Sequence, residues 1–366
     1  MDSSPIIRTT PELDEACARA RAAGVVALDT EFVWMRTYRP RLGLVQIGTP
    51  DACWGLDCLQ GLNPSALGDL IADTSVTKIL HDAHQDLELL WHYTGAKPQN
   101  VFDTQCAAGF AGLSSKISLQ KLLEEVLNVG LPKTETRTNW TQRPLTDAQV
   151  RYALDDVRYL EELRLALLAR ADKLGTRAWL EEELGKYDDP DWYANADPQE
   201  AWRRIKTGKL RFEPRHYAVL RAVTAVREKA AQEWNLPRNW VSDDQSLVDM
   251  AFKGRASFFR HRLHSGQRDA LATRYAAAIK KALVLPSEDW PADPRPHFIR
   301  EVTAAADKAV EWLRKRAEEI RVDAALIASR ATVTAFIDDP EDEGNPLAVG
   351  WRYETVGRKM QEKFAV

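Results

Sequence analysis

The sequence predicts a mixed α/β domain in the first half of the chain, followed by one or two small all-α domains. Closely spaced β-branched runs alternate with helical patterns up to about residue 130, whereas only helical periodicity is found from residue 214 onward. The length of 366 residues agrees with more than one domain, because a domain averages roughly 150 residues. A hydrophobic content of 45% and a charged content of 28% are typical of a globular chain and exclude global disorder.

The first predicted elements are a helix and three strands. Thr10 caps a helix that has Pro11 at its first position and continues to about Ala23. Three runs typical of strands follow, and their close spacing predicts an antiparallel meander; they span residues 25–28, 42–48 and 52–57. Alternating elements come next, with helices near 64–73, 87–90 and 119–127 and strands at 77–80 and 101–102.

The later elements are all predicted to be helical. Thr146 caps a helix whose apolar residues recur with a period of 3.6 from Val150 to Leu167, which predicts one long helix. An acidic, turn-rich stretch after about Gly185 predicts a linker, and four prolines between residues 286 and 296 mark a second boundary. The predicted organisation is a domain at 1–185, a linker at 186–210, a helical domain at 211–285 and a helical segment at 296–366.

Charge is distributed unevenly along the chain. The net charge is −4, but residues 201–285 contain 18 Lys or Arg residues against 7 Asp or Glu residues, a local net charge of +11. A basic segment within an acidic protein favours a polyanionic partner. The alternative interpretation of the same residues is a solvated helical surface.

The composition also bears on the compartment. No run of 18 apolar residues and no signal peptide are found in this sequence, so we expect a cytoplasmic protein that does not bind membranes. The four cysteines are too few for a disulfide scaffold and lack C-x-x-C spacing, so we expect reduced thiols. We expect the protein to be a monomer.

Two pairs of residues are candidates for chemistry. Asp29 and Glu31 lie where the first predicted strand ends, and alternation along an extended chain turns both carboxylates to one face. Tyr152 and Asp156 share one face of the long helix, whereas Asp155 points about 100° away from them. Taken alone, each pair is also what a solvated surface would contain.

A third candidate is Asp86, which is expected in the first turns of the helix that follows the strand at 77–80. His81 and His84 lie close to it in sequence. Without cysteine partners or an H-E-x-x-H pattern, zinc binding is disfavoured and both histidines are interpreted as structural. Asp103 is interpreted as a turn residue or a supporting group.

Together these segments resemble the three motifs of the DEDD exonuclease superfamily, namely a D-x-E strand, an Asp that opens a helix and a late Y-x-x-x-D helix. The tyrosine indicates the DEDDy branch, because Arg151 occupies the position where the other branch has histidine. The flanking segments resemble the ribonuclease D family over residues 1 to about 175: LDTEF (28–32), LGLVQI (42–47), FDTQ (102–105), WTQRPL (140–145) and YALDDV (152–157). Residues around Leu236-Pro237-Arg238 resemble the HRDC domain of that family, and the family architecture implies a second HRDC-like unit after about residue 296.

The resemblance implies an RNase H-like exonuclease fold followed by HRDC-like domains. It also implies a metal-dependent 3′–5′ exoribonuclease that releases 5′-mononucleotides and acts in 3′ processing of tRNA precursors and other small RNAs. The implied catalytic residues are Asp29, Glu31, Asp86, Tyr152 and Asp156.

The four carboxylates among these residues predict a divalent metal site. Four convergent carboxylates carry a formal charge of −4 that requires cations, and hard oxygen ligands favour two Mg²⁺ or Mn²⁺ ions. In similar enzymes the equivalent of Asp29 bridges both ions, Glu31 and Asp156 bind the ion on the nucleophile side, and Asp86 binds the other. Because a phenol titrates near pH 10, Tyr152 is expected to orient the attacking water rather than to act as a base.

RNA is the expected partner, and four residues ahead of the last motif are candidates to bind it: Lys133, Arg137, Trp140 and Arg143. The arginines could hold phosphates, and Trp140 could either stack on a terminal base or pack under the helix. Two other functions stay open at this point. One is a DNA-directed 3′–5′ exonuclease, and the other is a non-catalytic RNA-binding protein on an exonuclease scaffold. The second is disfavoured because all five expected catalytic residues are present in the sequence.

Overall fold

A computed structural model describes residues 5–34, 36–131, 138–189, 191, 197–208, 210–257, 261–293 and 298–364. The chain divides into two compact units. The first, here called the sheet unit, comprises residues 1–33, 42–194 and 298–366. The second, here called the helical unit, comprises residues 34–41 and 195–297. The mixed α/β fold followed by an all-helical region agrees with the fold class that the sequence predicts.

The sheet unit is built on a six-stranded mixed sheet. Its strands are β1 (Ile6–Ile7), β2 (Val25–Val33), β3 (Arg41–Gly48), β4 (Cys53–Asp57), β5 (Thr77–Leu80) and β6 (Val101–Asp103). Their order across the sheet is β1-β4-β3-β2-β5-β6. The β3–β4 pair is antiparallel, as the predicted meander requires, whereas β1–β4, β2–β5 and β5–β6 are parallel. The two-residue strand β1 was not predicted, because it is too short to show a period and forms by pairing with β4.

Strand β2 is longer than the sequence predicts. The prediction ended it at residue 28, but the strand continues to Val33, so Asp29 and Glu31 lie within it rather than beyond its end. The prediction stopped before these residues because Asp and Glu have low strand propensity. In the folded sheet β2 lies between β3 and β5, and its place inside the sheet overrides that propensity.

Helices cover both faces of the sheet. They are α1 (Thr10–Ala23), α2 (Ser65–Ala72), α3 (His84–Thr94), α4 (Thr104–Phe110), α5 (Leu119–Leu127), α6 (Asp147–Arg158), α7 (Leu160–Leu174) and α8 (Arg177–Leu184). Alternate residues of β2 enter two different hydrophobic clusters, Val25 and Ala27 in one and Val26 and Leu28 in the other. This alternation follows from the two-residue period of a strand with both faces buried.

Three details of these helices differ from the sequence prediction. The N-cap of α1 is Thr9 rather than Thr10, because Thr9 forms a capping box with Glu12. The predicted long helix is two helices, since the chain leaves helical geometry at Tyr159 while Val157 and Leu160 still enter the same core. Helix α4 was not predicted; it is capped by Asp103, whose carboxylate accepts hydrogen bonds from two backbone N–H groups of its first turn.

The helical unit contains α9 (Pro214–Glu233), α10 (Arg238–Val241), α11 (Asp244–Lys253) and α12 (Ser265–Leu283) among its described residues. Trp202, Tyr217 and Tyr275 are fully buried in its core. Tyr38 also belongs to this core, and its hydroxyl accepts a hydrogen bond of 2.8 Å from Arg238 Nη2. The connection between β2 and β3 is therefore part of the helical unit. Its identity as an HRDC domain stays a prediction.

The C-terminal helices belong to the sheet unit. They are α13 (Arg300–Ile320), α14 (Ala324–Ile327), α15 (Arg330–Asp338), α16 (Gly350–Arg352) and α17 (Arg358–Phe364). Trp351 packs edge-on against Phe110 with ring centroids 5.2 Å apart, and its indole donates a hydrogen bond of 3.2 Å to Glu183. The segment thus shares the core of α4 and α8, and a second HRDC-like fold for it stays a prediction. Within the described residues, no helix is both long and apolar enough to cross a membrane.

Candidate active site

Three carboxylates meet at the centre of the sheet unit. Asp29, Glu31 and Asp156 each offer an oxygen, and these oxygens all lie within 4.8 Å of one another. Asp29 and Glu31 come from alternate positions of β2, so the strand turns them to the same face. Asp156 comes from α6, in the helical turn after Tyr152. The structure therefore brings together the two pairs that the sequence singles out.

Asp86 lies beside this cluster without being one of the three. It is in the first turn of α3, which follows β5, the parallel neighbour of β2. Its carboxylate is 9% exposed and accepts a hydrogen bond from the hydroxyl of Thr30. The charge of Asp29 contributes to raising the pKa of Asp86, after burial itself, so the two carboxylates act on each other.

Asp103 holds the chain that leads into α3. Its carboxylate accepts hydrogen bonds of 3.1 Å from the backbone N–H groups of Asp82 and Ala83, and one of 2.6 Å from the Tyr187 hydroxyl. Asp82 has a φ of 61°, a conformation that non-glycine residues rarely adopt. By holding this turn, Asp103 fixes where α3 begins and hence where Asp86 is placed. This is a supporting position, as the sequence suggested.

The carboxyl groups of the cluster are electrostatically unfavourable when ionised. Burial raises the pKa of Asp29 to about 7. Burial as the largest cause, with the charges of neighbouring carboxylates added to it, raises the pKa to about 8 for Asp156 and about 9 for Glu31. Burial also raises the pKa of Asp86 well above its usual value. A buried, all-oxygen donor set of this kind fits a hard divalent cation, which would neutralise the negative charge.

Gln46 is a site residue that the sequence analysis did not single out. Its Nε2 donates a hydrogen bond of 3.1 Å to Asp29 Oδ2, and the side chain is fully buried. Its Oε1 has no hydrogen-bond partner among the described residues. The sequence did contain a signal for this residue, namely a polar side chain in the middle of the apolar strand β3. A buried amide needs a specific hydrogen-bond partner.

Tyr152 and Trp140 complete the wall of the site. The Tyr152 hydroxyl lies beside Asp156, and burial followed by the charge of Asp156 raises the pKa of Tyr152, so the phenol keeps its proton. The Trp140 indole lies near Glu31, and its ring centroid lies 6.2 Å from that of Tyr152. Because Trp140 is only 4% exposed, the structure favours the packing interpretation over base stacking.

Arg143 is engaged within the protein. Its guanidinium forms a bidentate pair with Asp57, with distances of 2.7 and 2.9 Å, and also donates to the backbone carbonyl oxygens of Gly43 and Trp140. A Cβ at Gly43 would lie 2.4 Å from the Trp140 carbonyl oxygen, so only glycine permits this approach. These contacts favour a structural role for Arg143. Lys133 and Arg137 lie outside the described residues.

The two histidines near Asp86 have different surroundings. His81 is hydrogen-bonded through Nδ1 to Thr104 Oγ1 at 2.9 Å and through Nε2 to the carbonyl oxygen of Ile117 at 3.1 Å. Burial lowers the pKa of His81, so the ring is neutral. His84 is exposed at the start of α3. The contacts of His81 agree with the structural interpretation.

Comparison with known proteins places this architecture in a family. Residues 5–172 match the family model described as a 3′–5′ exonuclease. The ribonuclease D of Zymomonas mobilis is 33% identical over 98% of this chain and 93% of its own length. The chain belongs to the ribonuclease D family. A second ribonuclease D, from Pseudomonas paraeruginosa, is 34% identical over 97% of this chain and 96% of its own length.

The ribonuclease D fold extends over the whole chain. The crystal structure of Escherichia coli RNase D, described as an exoribonuclease involved in structured RNA processing, superposes with a TM-score of 0.84 at 28% identity and covers 100% of both chains. The catalytic core of RRP6 from Trypanosoma brucei, 20% identical with a TM-score of 0.55, shares the fold over 76% of this chain and 79% of its own. The family, the fold and the enzyme class predicted from the sequence are thus confirmed.

The raised carboxyl pKa values of this ribonuclease D family member predict how its metal-free form responds to pH. Between about pH 4 and pH 9 the folded protein binds more protons at the cluster than the unfolded chain does, so its free energy of unfolding falls as the pH rises through this range. Glu31→Gln removes one of these carboxyl groups. We therefore expect its free energy of unfolding to fall less between pH 5 and pH 9 than that of wild type, by at least about 1 kcal/mol.

Urea denaturation in EDTA, at both pH values, measures this difference. Glu161→Gln is the matched control, because Glu161 pairs with Arg164 at 2.7 Å and is not one of the clustered carboxylates. Equal pH responses of wild type and Glu31→Gln would contradict the prediction.

Proposed function

We propose that this protein hydrolyses RNA from its 3′ end and releases 5′-mononucleotides at the cluster formed by Asp29, Glu31 and Asp156. The observation that carries the proposal is the convergence of these three carboxylates within 4.8 Å, beside a tyrosine that keeps its proton. Such a donor set is suited to phosphodiester hydrolysis assisted by divalent metal.

Four carboxylates would hold two Mg²⁺ or Mn²⁺ ions. Asp29 is the proposed shared ligand, Glu31 and Asp156 would hold one ion, and Asp86 would contribute to the other. When bound, the metal supplies Lewis-acid activation of water and neutralises the charge of the phosphodiester. The oxygen-only donor set and its burial support this assignment over zinc.

The neighbouring side chains orient these carboxylates. Gln46 donates a hydrogen bond to Asp29, and the Trp140 indole lies near Glu31, so each of these acids has a buried N–H group beside it. Tyr152 lies beside Asp156 and would orient the attacking water, whereas its raised pKa excludes it as a base near neutral pH. The proposed catalytic residues are therefore Asp29, Glu31, Asp86, Tyr152 and Asp156.

The proposed substrates are tRNA precursors and other small structured RNAs. E. coli RNase D, similar to this chain over its full length, is described as acting in structured RNA processing. The basic residues between 201 and 285, with a net charge of +11, would supply affinity for phosphates that does not depend on sequence. The free thiols of all four cysteines support action in the reducing cytoplasm.

The experiment that tests this function follows the shortening of labelled polymers. Single-stranded RNA and DNA of the same sequence, labelled at the 5′ end, are incubated with the protein in Mg²⁺, Mn²⁺ or EDTA. We expect a ladder that shortens one nucleotide at a time from the 3′ end, on RNA and only with metal. Equal digestion of DNA would favour a DNA-directed exonuclease, and binding without shortening would favour a non-catalytic RNA-binding protein.

The role of Tyr152 gives a separate prediction. Tyr152→Phe removes the hydroxyl beside Asp156, and we expect the single-turnover rate of RNA hydrolysis to fall about 10- to 100-fold. RNA affinity should be unchanged, because the group acts on the reacting water. Tyr159→Phe, seven residues later at the break between α6 and α7, is the control and should retain the wild-type rate. A full rate for Tyr152→Phe would contradict the assigned role.

A further inference from the structure

An aromatic stack lies at the surface of the helical unit. It consists of Phe212, His216 and Phe252, here called the aromatic stack. The ring of Phe252 stacks on His216 with centroids 5.3 Å apart and planes 27° apart, and on Phe212 with centroids 6.2 Å apart and planes 29° apart. Phe212 and His216 are themselves 5.4 Å apart. Phe252 is the outermost ring, because it is 46% exposed whereas His216 is buried.

The exposure of Phe252 is not required by the packing of its helix. Helix α11 buries Leu247, Met250 and Ala251 in the core of the helical unit. Phe252 lies outside this buried set and is 46% exposed although its ring stacks on Phe212 and His216. Leu283 is similarly exposed and lies beside Gly254, where an added Cβ would be 3.7 Å from Leu283 Cδ1. A flat aromatic surface with an aliphatic neighbour therefore faces solvent.

The charge around the aromatic stack matches a polyanion. Arg211 precedes Phe212 in the chain, and Arg255 follows Phe252 by three residues; both side chains are exposed. The stack lies within the segment that carries a net charge of +11. Burial, as the largest cause, and the nearby charge of Arg215 lower the pKa of His216, so this member of the stack is a neutral aromatic ring.

We propose that the aromatic stack binds single-stranded RNA, with an unpaired base stacking on the open face of Phe252 and the flanking phosphates contacting Arg211 and Arg255. Exposed aromatic rings between cations are the general means by which proteins hold unpaired bases, since every base has a flat face. The proposal rests on the proposed function, because it assigns a part of the RNA substrate to the helical unit.

The test compares RNA affinities of full-length variants. Binding of a fluorescent single-stranded RNA is measured in EDTA, with a gel to verify that the RNA stays intact. Phe252→Ala is expected to weaken binding about tenfold or more, whereas Phe252→Trp should retain the wild-type affinity. Leu165→Ala is the matched control, because Leu165 is an exposed apolar residue of the sheet unit, and it should bind as wild type does.

Salt dependence separates stacking from charge. Phe252→Ala should leave the slope of log affinity against log salt unchanged, whereas Arg255→Ala should reduce its magnitude by about 0.7, the value for one phosphate contact on a single strand. Wild type should bind an RNA with abasic positions more weakly than it binds the intact RNA. Phe252→Ala should bind the two RNAs with the same affinity.

Two results would overturn the proposal. In the first, Phe252→Ala binds RNA as tightly as wild type does. In the second, the ratio of the affinities for intact and abasic RNA is the same for Phe252→Ala as for wild type. Either result, with a wild type that still shortens RNA, counts against the aromatic stack alone. A wild type that neither binds nor shortens RNA would instead overturn the proposed function together with the stack.

Discussion

Asp29→Asn is expected to lower the single-turnover rate of RNA hydrolysis by at least about a thousandfold. Asp29 is central in the cluster, because its charge raises the pKa values of Glu31, Asp86 and Asp156. It is also the carboxylate that Gln46 orients. The substitution keeps the shape and the oxygen that can accept from Gln46, so it removes charge rather than packing.

Two measurements accompany the rate. Titration with Mn²⁺ should show a loss of affinity for Asp29→Asn, and thermal unfolding without metal should show a stability equal to or above that of wild type, because one buried charge is gone. Asp172→Asn is the matched control and should keep the wild-type rate, since Asp172 pairs with Arg177 at 3.5 Å and is not one of the clustered carboxylates. A rate within tenfold of wild type for Asp29→Asn would contradict the proposed metal site.

Arg143→Ala is expected to lower the free energy of unfolding by about 3–5 kcal/mol. Asp57 is 1% exposed, and although burial raises its pKa, the hydrogen bonds from Arg143 lower it below the usual value. Removing the guanidinium leaves this carboxylate buried without its cation. It also removes the donors to the carbonyl oxygens of Gly43 and Trp140, which join β3 to the loop ahead of α6.

Urea denaturation at neutral pH measures the effect. Arg158→Ala is the control, because the Arg158–Asp155 pair is largely exposed and such pairs contribute at most about 1 kcal/mol. Arg143→Lys should recover only part of the stability, because an ammonium cannot form the bidentate pair. If Arg143 instead held an RNA phosphate, Arg143→Ala would weaken RNA binding with little loss of stability, which is the opposite result.

The pairing of the candidate catalytic side chains within an element was predictable from the sequence. Strand alternation places Asp29 and Glu31 on one face, and the helical period places Tyr152 with Asp156 and turns Asp155 away. Both rules act over a few residues, so they hold before any long-range packing is known. The order of these motifs along the chain also predicted the ribonuclease D family, which the comparisons confirm.

The supporting residues were decided by the tertiary structure. Gln46 contacts Asp29 across neighbouring strands, and Asp103 holds the turn before α3 from a different strand. Trp140 was equally compatible with stacking on RNA or with packing, and only its burial against Tyr152 favours packing. Each of these contacts joins residues far apart in the chain, which a local period does not encode.

The extent of the units was likewise set by long-range packing. The helical pattern after residue 298 predicted helices, but the burial of Trp351 against Phe110 places that segment in the sheet unit. Residues 34–41 follow a strand of the sheet yet belong to the helical unit through Tyr38. The sequence by itself thus predicted most of the helices and strands from local periodicity, and the resemblance of its motifs to known ones indicated the candidate catalytic residues and the family. The tertiary structure decided which elements share a core, because burial depends on partners that local sequence does not specify.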